Sequence, residues 1–279
     1  MSAVPGLETF TRLGFAARGA LYVMVGYLAI EAGRNTSSAG ALKTLADSGP
    51  GKLALFVIAL GLLAYGAWRC AEAALDLEGA GRGAKGAVKR IGGALSGVVH
   101  VGLGLLAAGL MFGIGSGGAG GGSGGEEAAT ARLLALPGGE MLVRLLALAF
   151  IGGGLAQGWS AYRLKFLKQL DGRAANKAWV KWSGRLGYVA RGVVFVLVGV
   201  FLWQAAAAGD PQQAGDTGEA LAALGGWQRT VVAAGLMLFG VFSIVQAVYR
   251  RITDPQVLAR LGSRAGAAMR APHGMGSAR

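Results

Sequence analysis

The polar side chains that could do chemistry in this chain lie inside long apolar runs. Arg18 and Arg191 each sit about one helical turn inside such a run, and His100 lies ten residues beyond Arg90, or about 15 Å of helical rise. A guanidinium can hold a phosphate or a carboxylate through two hydrogen bonds, and a histidine deep in a bilayer is a functional candidate because burying it is costly. Gln157 could supply a hydrogen-bond partner. These four residues are the candidate ligand or lipid sites.

Each candidate also has a structural interpretation. An arginine near a helix end can extend to the interface at little cost, or pair with a carboxylate such as Glu72 or Asp76. A neutral imidazole can be satisfied by one hydrogen bond within the helix bundle. The sequence favours these structural roles for the arginines and a buried, neutral ring for His100. A proton or substrate role for His100 is the alternative.

Motifs for catalysis, metal binding and cofactor binding are missing from the sequence. Cys70 is the single cysteine, and His273 is the second of two histidines, so no cysteine–histidine metal cluster can form. There is no paired-carboxylate site, no HExxH, no Gly-x-Ser-x-Gly and no phosphate-binding loop with its lysine. The sequence therefore predicts a protein that is not an enzyme and holds no metal or cofactor.

The elements that must position the candidate residues are membrane helices. The chain is 53% hydrophobic and only 15% charged, and a bilayer core of about 30 Å takes roughly 20 helical residues. Continuous apolar runs disfavour strands, which would alternate. The sequence predicts an all-α polytopic membrane protein with six transmembrane helices, near 14–33, 53–75, 91–114, 141–162, 186–208 and 227–249.

One helix opening occurs three times in the chain. The segment at 13–19 returns 173 positions later at 186–192, and a fainter copy, shifted by 78, has Ser96 where the other two have arginine. Each copy starts a two-helix unit, and an even number of crossings returns the chain to the same side. The fold class is therefore three parallel two-helix repeats, which we expect to be arranged about a pseudo-threefold axis normal to the membrane.

Glycines recur at matching positions in the first helix of each repeat. Members of each pair are seven residues apart, so they share one helix face about two turns apart, and the pairs are Gly19 and Gly26, Gly97 and Gly104, and Gly192 and Gly199. Glycine lets two helix backbones approach closely, which is what holds helices together in lipid. We expect these glycines to pack against neighbouring helices, with the odd-numbered helices toward the centre. Glycines that line a ligand path are the alternative.

The connections differ in charge and composition. Residues 82–90 and 163–185 are rich in Lys and Arg, whereas residues 209–226 contain neither. This positive-inside pattern places both termini in the cytoplasm and predicts attraction to anionic lipid headgroups at that face. Despite a net charge of +13, no motif supports nucleic-acid binding. Leucines before the Gly or Pro breaks of the opposite connections predict short interfacial helices around Leu42, Leu133 and Leu221.

These features divide the chain into six segments. Because the first apolar run matches an internal one, we expect it to be retained and not cleaved as a signal peptide. The segments are a cytoplasmic N-terminus at 1–12, repeat one at 13–78, repeat two at 79–165 with a Gly-rich outer loop at 115–125, a basic cytoplasmic linker at 166–185, repeat three at 186–252, and a disordered cytoplasmic tail at 253–279.

The repeated residues resemble a known family. The Gly-Phe/Tyr-x-Ala-Arg-Gly openings at 14–19 and 187–192, with the Ala-Tyr-Gly-Ala-Trp-Arg ending at 64–69, are similar to the bacterial domain-of-unknown-function family numbered 1206. The resemblance covers roughly residues 10–252, and the middle repeat departs from it at Ser96. It implies a six-helix protein of the bacterial cytoplasmic (inner) membrane and brings no established activity.

Two function classes remain open from the sequence. Glycine-driven packing and scarce buried charge favour a non-catalytic scaffold or a module that interacts with membrane lipids or a membrane-protein partner. The repeats and His100 suggest a channel or a transporter for a small solute or lipid. A polar cavity that reaches the midplane would favour transport, and a core filled by side chains would favour the module.

The charge pattern gives a topology prediction. Cysteines introduced as Ser123→Cys and Ser277→Cys, in a Cys70→Ser background, should react differently with an impermeant thiol reagent in intact cells. Only the cysteine at 123 should be labelled, because the positive-inside rule places the loop outside and the C-terminus inside. Labelling at 277 alone would reverse the orientation.

Overall fold

The computed structural model describes residues 5–31, 37–47, 51–76, 79–81, 83–113 and 125–250. Regular structure in the described residues is helical, and one isolated bridge joins Leu170 and Arg250. The helices are α1 (Pro5–Glu31), α2 (Ser38–Ala46), α3 (Gly51–Leu75), α4 (Ala84–Met111), α5 (Gly125–Leu134), α6 (Gly139–Tyr162), α7 (Gly172–Ala175), α8 (Ala178–Ala208), α9 (Thr217–Ala223) and α10 (Gly226–Tyr249), with 3₁₀ turns at Lys165–Gln169 and Pro211–Gln213.

The six long helices α1, α3, α4, α6, α8 and α10 are each apolar enough to cross a membrane. This confirms the predicted all-α fold with six transmembrane helices. Three of them begin earlier than hydropathy indicates: α1 at Pro5, α4 at Ala84 and α8 at Ala178. The hydropathy of each segment falls where the first charged residues occur, whereas Lys, Arg and Trp are compatible with a helix. An apolar run is therefore shorter than the helix that contains it. Part of the predicted N-terminal segment and part of the predicted basic linker are therefore helical extensions.

Each long helix packs along its neighbours in the chain, with one exception. The contacts run from α4 to α3, α1, α10, α8 and α6 in that order, but α4 and α6 do not pack against each other. The first and third repeats thus have two helices in contact, and the middle repeat has a gap between its two helices. We refer to this space between α4 and α6 as the open seam. The pseudo-threefold arrangement remains an expectation that these contacts follow only in part.

The repeated glycines lie where the first helix of each repeat meets the second helix of another repeat. These meetings are α1 with α10, α4 with α3 and α8 with α6. A Cβ atom added at Gly19, Gly97 or Gly192 would lie only 2.8, 2.9 or 2.8 Å from the backbone oxygen of Gly240, Gly66 or Gly154, respectively. Two turns further along, Gly26, Gly104 and Gly199 make equally close approaches to α10, α3 and α6. All six glycines therefore serve backbone-to-backbone packing. Each tight pair joins the first helix of one repeat to the second helix of another, and the first helices α1, α4 and α8 do not pack along one another.

The bundle has two chemically different halves. The end where α1 begins and α10 ends, here called the terminal end, carries the basic connections, and the opposite hairpin end carries the short helices α2, α5 and α9. The hairpin half is filled by aliphatic side chains that are almost fully buried, including Leu21, Val25, Leu42, Leu62, Leu221 and Leu236. The short helices predicted from the leucine-rich connections are present; α2 and α9 supply core residues, and Leu133 of α5 packs against the same core.

At the terminal end, the connection between α6 and α8 packs onto the bundle. The Phe166 ring stacks on Tyr188 at 5.1 Å and meets Phe242 edge-on at 5.0 Å. The Asp171 amide donates to the Tyr249 carbonyl oxygen at 2.8 Å. The segment predicted as a linker thus covers the space between α8 and α10.

Arginines at matching repeat positions cap the helix ends at the same end of the bundle. Arg90 Nε donates to the Ala73 carbonyl oxygen at 2.5 Å, and Arg185 Nε donates to the Ala161 carbonyl oxygen at 3.3 Å. A cation at a helix C-terminus satisfies free carbonyl groups and complements the helix dipole. Arg12 holds the same position in the first repeat.

Two predicted segments lie largely or wholly outside the described residues. These are the Gly-rich loop, of which only residue 125 is described, and the tail at 253–279.

The glycine contacts predict a position-dependent cost of adding a side chain. Gly26→Leu would place a side chain against the Ala233 oxygen and the Met237 backbone, so the free energy of unfolding in detergent should fall by about 1–3 kcal/mol. Gly102→Leu is the matched control, because nothing lies within 4 Å of its Cβ position. Equal melting temperatures for the two variants would show that Gly26 faces lipid.

Candidate functional site

Arg18 lies inside the bundle and joins three helices. Its side chain on α1 donates from Nε to Ser243 Oγ at 2.7 Å and from Nη2 to Gln246 Oε1 at 2.9 Å, both on α10. Nη1 donates to the Tyr65 hydroxyl on α3. The residue is only 5% exposed, so these bonds replace water for a charge that would otherwise be costly to bury.

Arg191 occupies the matching position in the third repeat and makes a different set of contacts. On α8, its Nε donates to the Tyr22 hydroxyl at 3.0 Å, and Nη1 donates to Gln157 Oε1 at 3.1 Å. Its guanidinium carbon also lies 4.4 Å from the centre of the Phe195 ring. Arg191 and Gln157 are half-buried, in contrast to Arg18.

A single aromatic ring brings the two arginines together. The Phe239 ring centre is 5.1 Å from the Arg18 guanidinium carbon and 5.0 Å from that of Arg191, so the two charges lie within about 10 Å of each other. Cation–π contacts of this kind contribute favourably when they are desolvated. They do not neutralise the charge, and the two cations repel each other across an apolar interior.

The acceptors of both guanidiniums are uncharged. Arg18 and Arg191 donate to hydroxyl and amide oxygens, and no carboxylate within the described ranges bonds to either one. The pairing of Arg18 with Glu72 or Asp76 considered from the sequence is therefore wrong. Glu72 instead accepts from Arg69, three residues earlier on the same helix, and Asp76 accepts from the Ala80 and Gly81 amides.

His100 lies beside this pair and takes part in packing. Its Nδ1 is 2.7 Å from the Ser96 carbonyl oxygen, which can only accept, so Nδ1 carries the proton. The ring lies 4.6 Å from the Tyr65 ring and is 5% exposed. The structure places His100 within α4, in contact with the tyrosine that also binds Arg18. Ser96 leaves the middle repeat without a third arginine, so the cluster is asymmetric.

We call the two arginines and their partners the arginine cluster; its other members are Tyr22, Tyr65, Gln157, Phe239, Ser243 and Gln246. Ser243 and Gln246, the two polar residues in the apolar stretch 231–248 of α10, were the available sequence signal for a buried polar contact. N–H and O–H donors from several helices converge in the cluster. Each guanidinium also has more N–H groups than these hydrogen bonds use. Such an arrangement can bind an anion. Among the described residues, no group of three or more His, Cys, Asp or Glu could hold a metal ion.

Comparison with known proteins agrees with the repeat structure. The family described as Domain of Unknown Function (DUF1206) matches the chain three times, at residues 13–76, 91–163 and 186–250. The chain is also 34% identical over 261 residues to Uncharacterized protein YxxB of Bacillus subtilis (strain 168), covering 89% of this chain and 93% of that protein. No solved structure matches significantly. The matches confirm the resemblance inferred from the repeated residues.

The arginine contacts predict unequal costs for two similar substitutions. Gln246→Leu removes the acceptor of a fully buried charged donor, so the free energy of unfolding should fall by about 1.5–3 kcal/mol. Gln157→Leu should cost less, because Arg191 is half-buried and keeps its bond to the Tyr22 hydroxyl. Thermal unfolding of both variants in the same detergent gives the comparison, and a larger loss for Gln157→Leu would contradict it.

Proposed function

The chain belongs to the DUF1206 family, and we propose that it is a non-catalytic, multi-pass membrane module that binds an anionic ligand at Arg191, close to the charge of Arg18. One observation carries this proposal. Two buried or half-buried guanidiniums share one aromatic ring and have only uncharged acceptors among the described residues. The arginine cluster therefore has hydrogen-bond donors for an anion, and its two positive charges attract one.

Arg18 and Arg191 are two like charges in a medium of low dielectric constant. Removing a guanidinium from water costs several kcal/mol even after hydrogen bonding, and a second cation nearby adds repulsion. Neutral acceptors and aromatic faces offset part of the cost. A phosphate or carboxylate would offset more, because its hydrogen bonds with Arg are charge-assisted and often bidentate.

The choice of a module over a channel has separate support. The hairpin half of the bundle is filled by aliphatic side chains such as Leu21, Val25 and Leu236, which favours a module over a channel with a continuous polar path. The polar residues of the arginine cluster lie nearer the terminal end. A transporter that opens the hairpin half in another state is the alternative function, and solute flux through proteoliposomes would favour it.

The surroundings of the site suggest where the ligand lies. We place the terminal end at the cytoplasmic face of the inner membrane, on the positive-inside distribution of the connections. Lys and Arg in residues 82–90 and 163–185 would then enrich anionic headgroups at the surface next to the site. Membrane lipids are accordingly the main partners, and a membrane-protein partner remains a second class.

The anion site predicts ligand-dependent stability. Either a phosphatidylglycerol-containing micelle or inorganic phosphate should raise the melting temperature of the purified protein by at least about 3 °C relative to neutral detergent with chloride at equal ionic strength, because a ligand that binds the folded state stabilises it. Arg191→Gln should lose most of this shift.

Arg144→Gln is the matched control. It removes an equal charge from an exposed pair with Glu140 on α6 and should keep the shift. If neither anionic probe stabilises the unmodified protein, or if all three proteins respond equally, the proposed site is wrong.

A further inference from the structure

We infer that the ligand of the arginine cluster is the phosphate headgroup of an anionic phospholipid, which enters sideways from the bilayer through the open seam between α4 and α6. This inference rests on the proposed function, since it names the occupant of the same anion site. It also assigns a role to the seam, which the anion site alone does not explain. The three repeats differ at the positions that would close the seam.

In the first and third repeats, an aromatic residue fills the space between the two helices. A Cβ added at Gly14 would lie 2.8 Å from the Tyr65 Cα, and one added at Gly187 would lie 2.5 Å from the Phe239 Cα. The middle repeat has Gly92 at the first of these positions, with nothing within 4 Å. The register that aligns Gly66, Gly154 and Gly240 places another glycine, Gly153, where the ring should be. The middle repeat therefore lacks the side chain that closes the other two.

About one helical turn from the aromatic position, the middle repeat has larger residues in place of a close alanine–glycine contact. In the closed repeats an alanine on the first helix packs against a glycine on the second, and these pairs are Ala17 with Gly61 and Ala190 with Gly235. The middle repeat has Leu95 and Ala149 at the matching positions. Larger side chains keep the two backbones apart, because close approach in lipid requires small residues. Leu95 is accordingly 41% exposed, against 4% for Ala17 and 5% for Ala190.

The exposed walls of the seam are apolar. Val99, which lies one turn beyond Leu95, is 53% exposed, while its counterparts Leu21 and Val194 are 1% and 2% exposed. On the opposite wall, Phe150 and Gly153 of α6 are partly exposed. In a membrane this surface faces hydrocarbon, so it suits an acyl chain and not a hydrated ion.

The seam leads to Arg191. Phe150 packs against Phe195 at 5.4 Å, and Phe195 lies 4.4 Å from the Arg191 guanidinium carbon. Gln157, on the same helix as Phe150, bonds that guanidinium. Arg191, Gln157 and Phe195 are all half-buried, whereas Arg18 is enclosed by α1, α3 and α10. The arginine nearer the open seam, Arg191, is thus the more exposed of the two.

The depth of Arg191 agrees with a headgroup phosphate. Arg191 lies six residues after Arg185, which caps the end of α6, so the two are separated by about 9 Å of helical rise. The long side chain shortens the remaining distance to the headgroup level. From the terminal end, the packed Phe166 covers the space between α8 and α10, which disfavours axial entry of a soluble anion on that side.

A phospholipid fits both parts of this surface at once. Its phosphate complements Arg191, with the charge of Arg18 close by, and its acyl chain complements the apolar walls. A transmembrane helix of a partner protein, or a second copy of the chain, would cover the walls but bring no anion to Arg191. Charge complementarity therefore selects the lipid.

Photocrosslinking of the unmodified protein tests the inference directly. The probe is phosphatidylglycerol with a photoreactive group in one acyl chain, incorporated into phosphatidylcholine nanodiscs, with photoreactive phosphatidylcholine as the control lipid. The anionic probe should label α4 and α6 peptides around Leu95, Val99 and Phe150 at least about tenfold more than the control lipid does, and Arg191→Gln should remove the difference. Labelling spread evenly over the lipid-facing helices would overturn the inference.

A variant that closes the seam supplies the second test. Leu95→Ala, Ala149→Gly and Gly153→Phe together restore the residue types of the closed repeats. This variant should bind phosphatidylglycerol at least about tenfold more weakly in native mass spectrometry than the unmodified protein. The matched control, Gly152→Phe with Leu155→Ala, changes similar bulk on α6 where Gly152 has nothing within 4 Å and Leu155 is largely exposed, and should bind normally.

The outcomes separate the two proposals. Loss of lipid binding in both Arg191→Gln and the seam-closing variant, with both still folded, supports lateral entry. Loss in Arg191→Gln alone keeps the anion site and overturns the seam as its entrance. Stabilisation by inorganic phosphate but not by phosphatidylglycerol also keeps the site and overturns the lipid, and a dimer crosslinked across α4 and α6 would replace the lipid by a second copy.

Discussion

Hydrogen bonding of a buried guanidinium is the constraint on which the rest of the bundle depends. In hydrocarbon, a charged donor without acceptors is too costly to keep, so Arg18 fixes where other helices must lie. It takes acceptors from Tyr65 on α3 and from Ser243 and Gln246 on α10. Arg191 likewise joins α8 to α1 and α6 through Tyr22 and Gln157. The two arginines together link five of the six long helices.

Glycine packing supplies the close approach that these hydrogen bonds need. Side chains reach across helices only when the backbones are near, and the contacts of Gly19 with Gly240 and of Gly192 with Gly154 bring them near. The middle repeat keeps this packing at Gly97 but has lost the arginine, the aromatic ring and the small pair that closes the other repeats. Repetition therefore builds the frame, and divergence of one repeat builds the site. This division explains why a bundle of similar units has one opening and one asymmetric cluster.

Much of the frame could be predicted from the sequence. Continuous apolar runs defined the six long helices, and the spacing of Gly19 and Gly26 indicated the packing faces, because both signals are local. Partners of Arg18 could not be chosen in the same way, since they depend on which faces meet in three dimensions. Glu72 was a candidate partner of Arg18, but it forms an ion pair with Arg69, three residues earlier on the same helix. The seam was also not predicted. Gly153 and Leu95 differ from the residues at the matching positions of the other repeats, but the second helices of the repeats, α3, α6 and α10, can be aligned with one another only from their packing.

An electron cryomicroscopy map of the protein in nanodiscs that contain phosphatidylglycerol tests the central claim most directly. The account predicts density for a phosphate within roughly 3 Å of an Arg191 guanidinium nitrogen, continuous with an acyl chain between α4 and α6. It would be contradicted by a map at the same resolution in which other lipids are ordered, the seam is closed or filled by protein, and both guanidiniums keep only their uncharged acceptors.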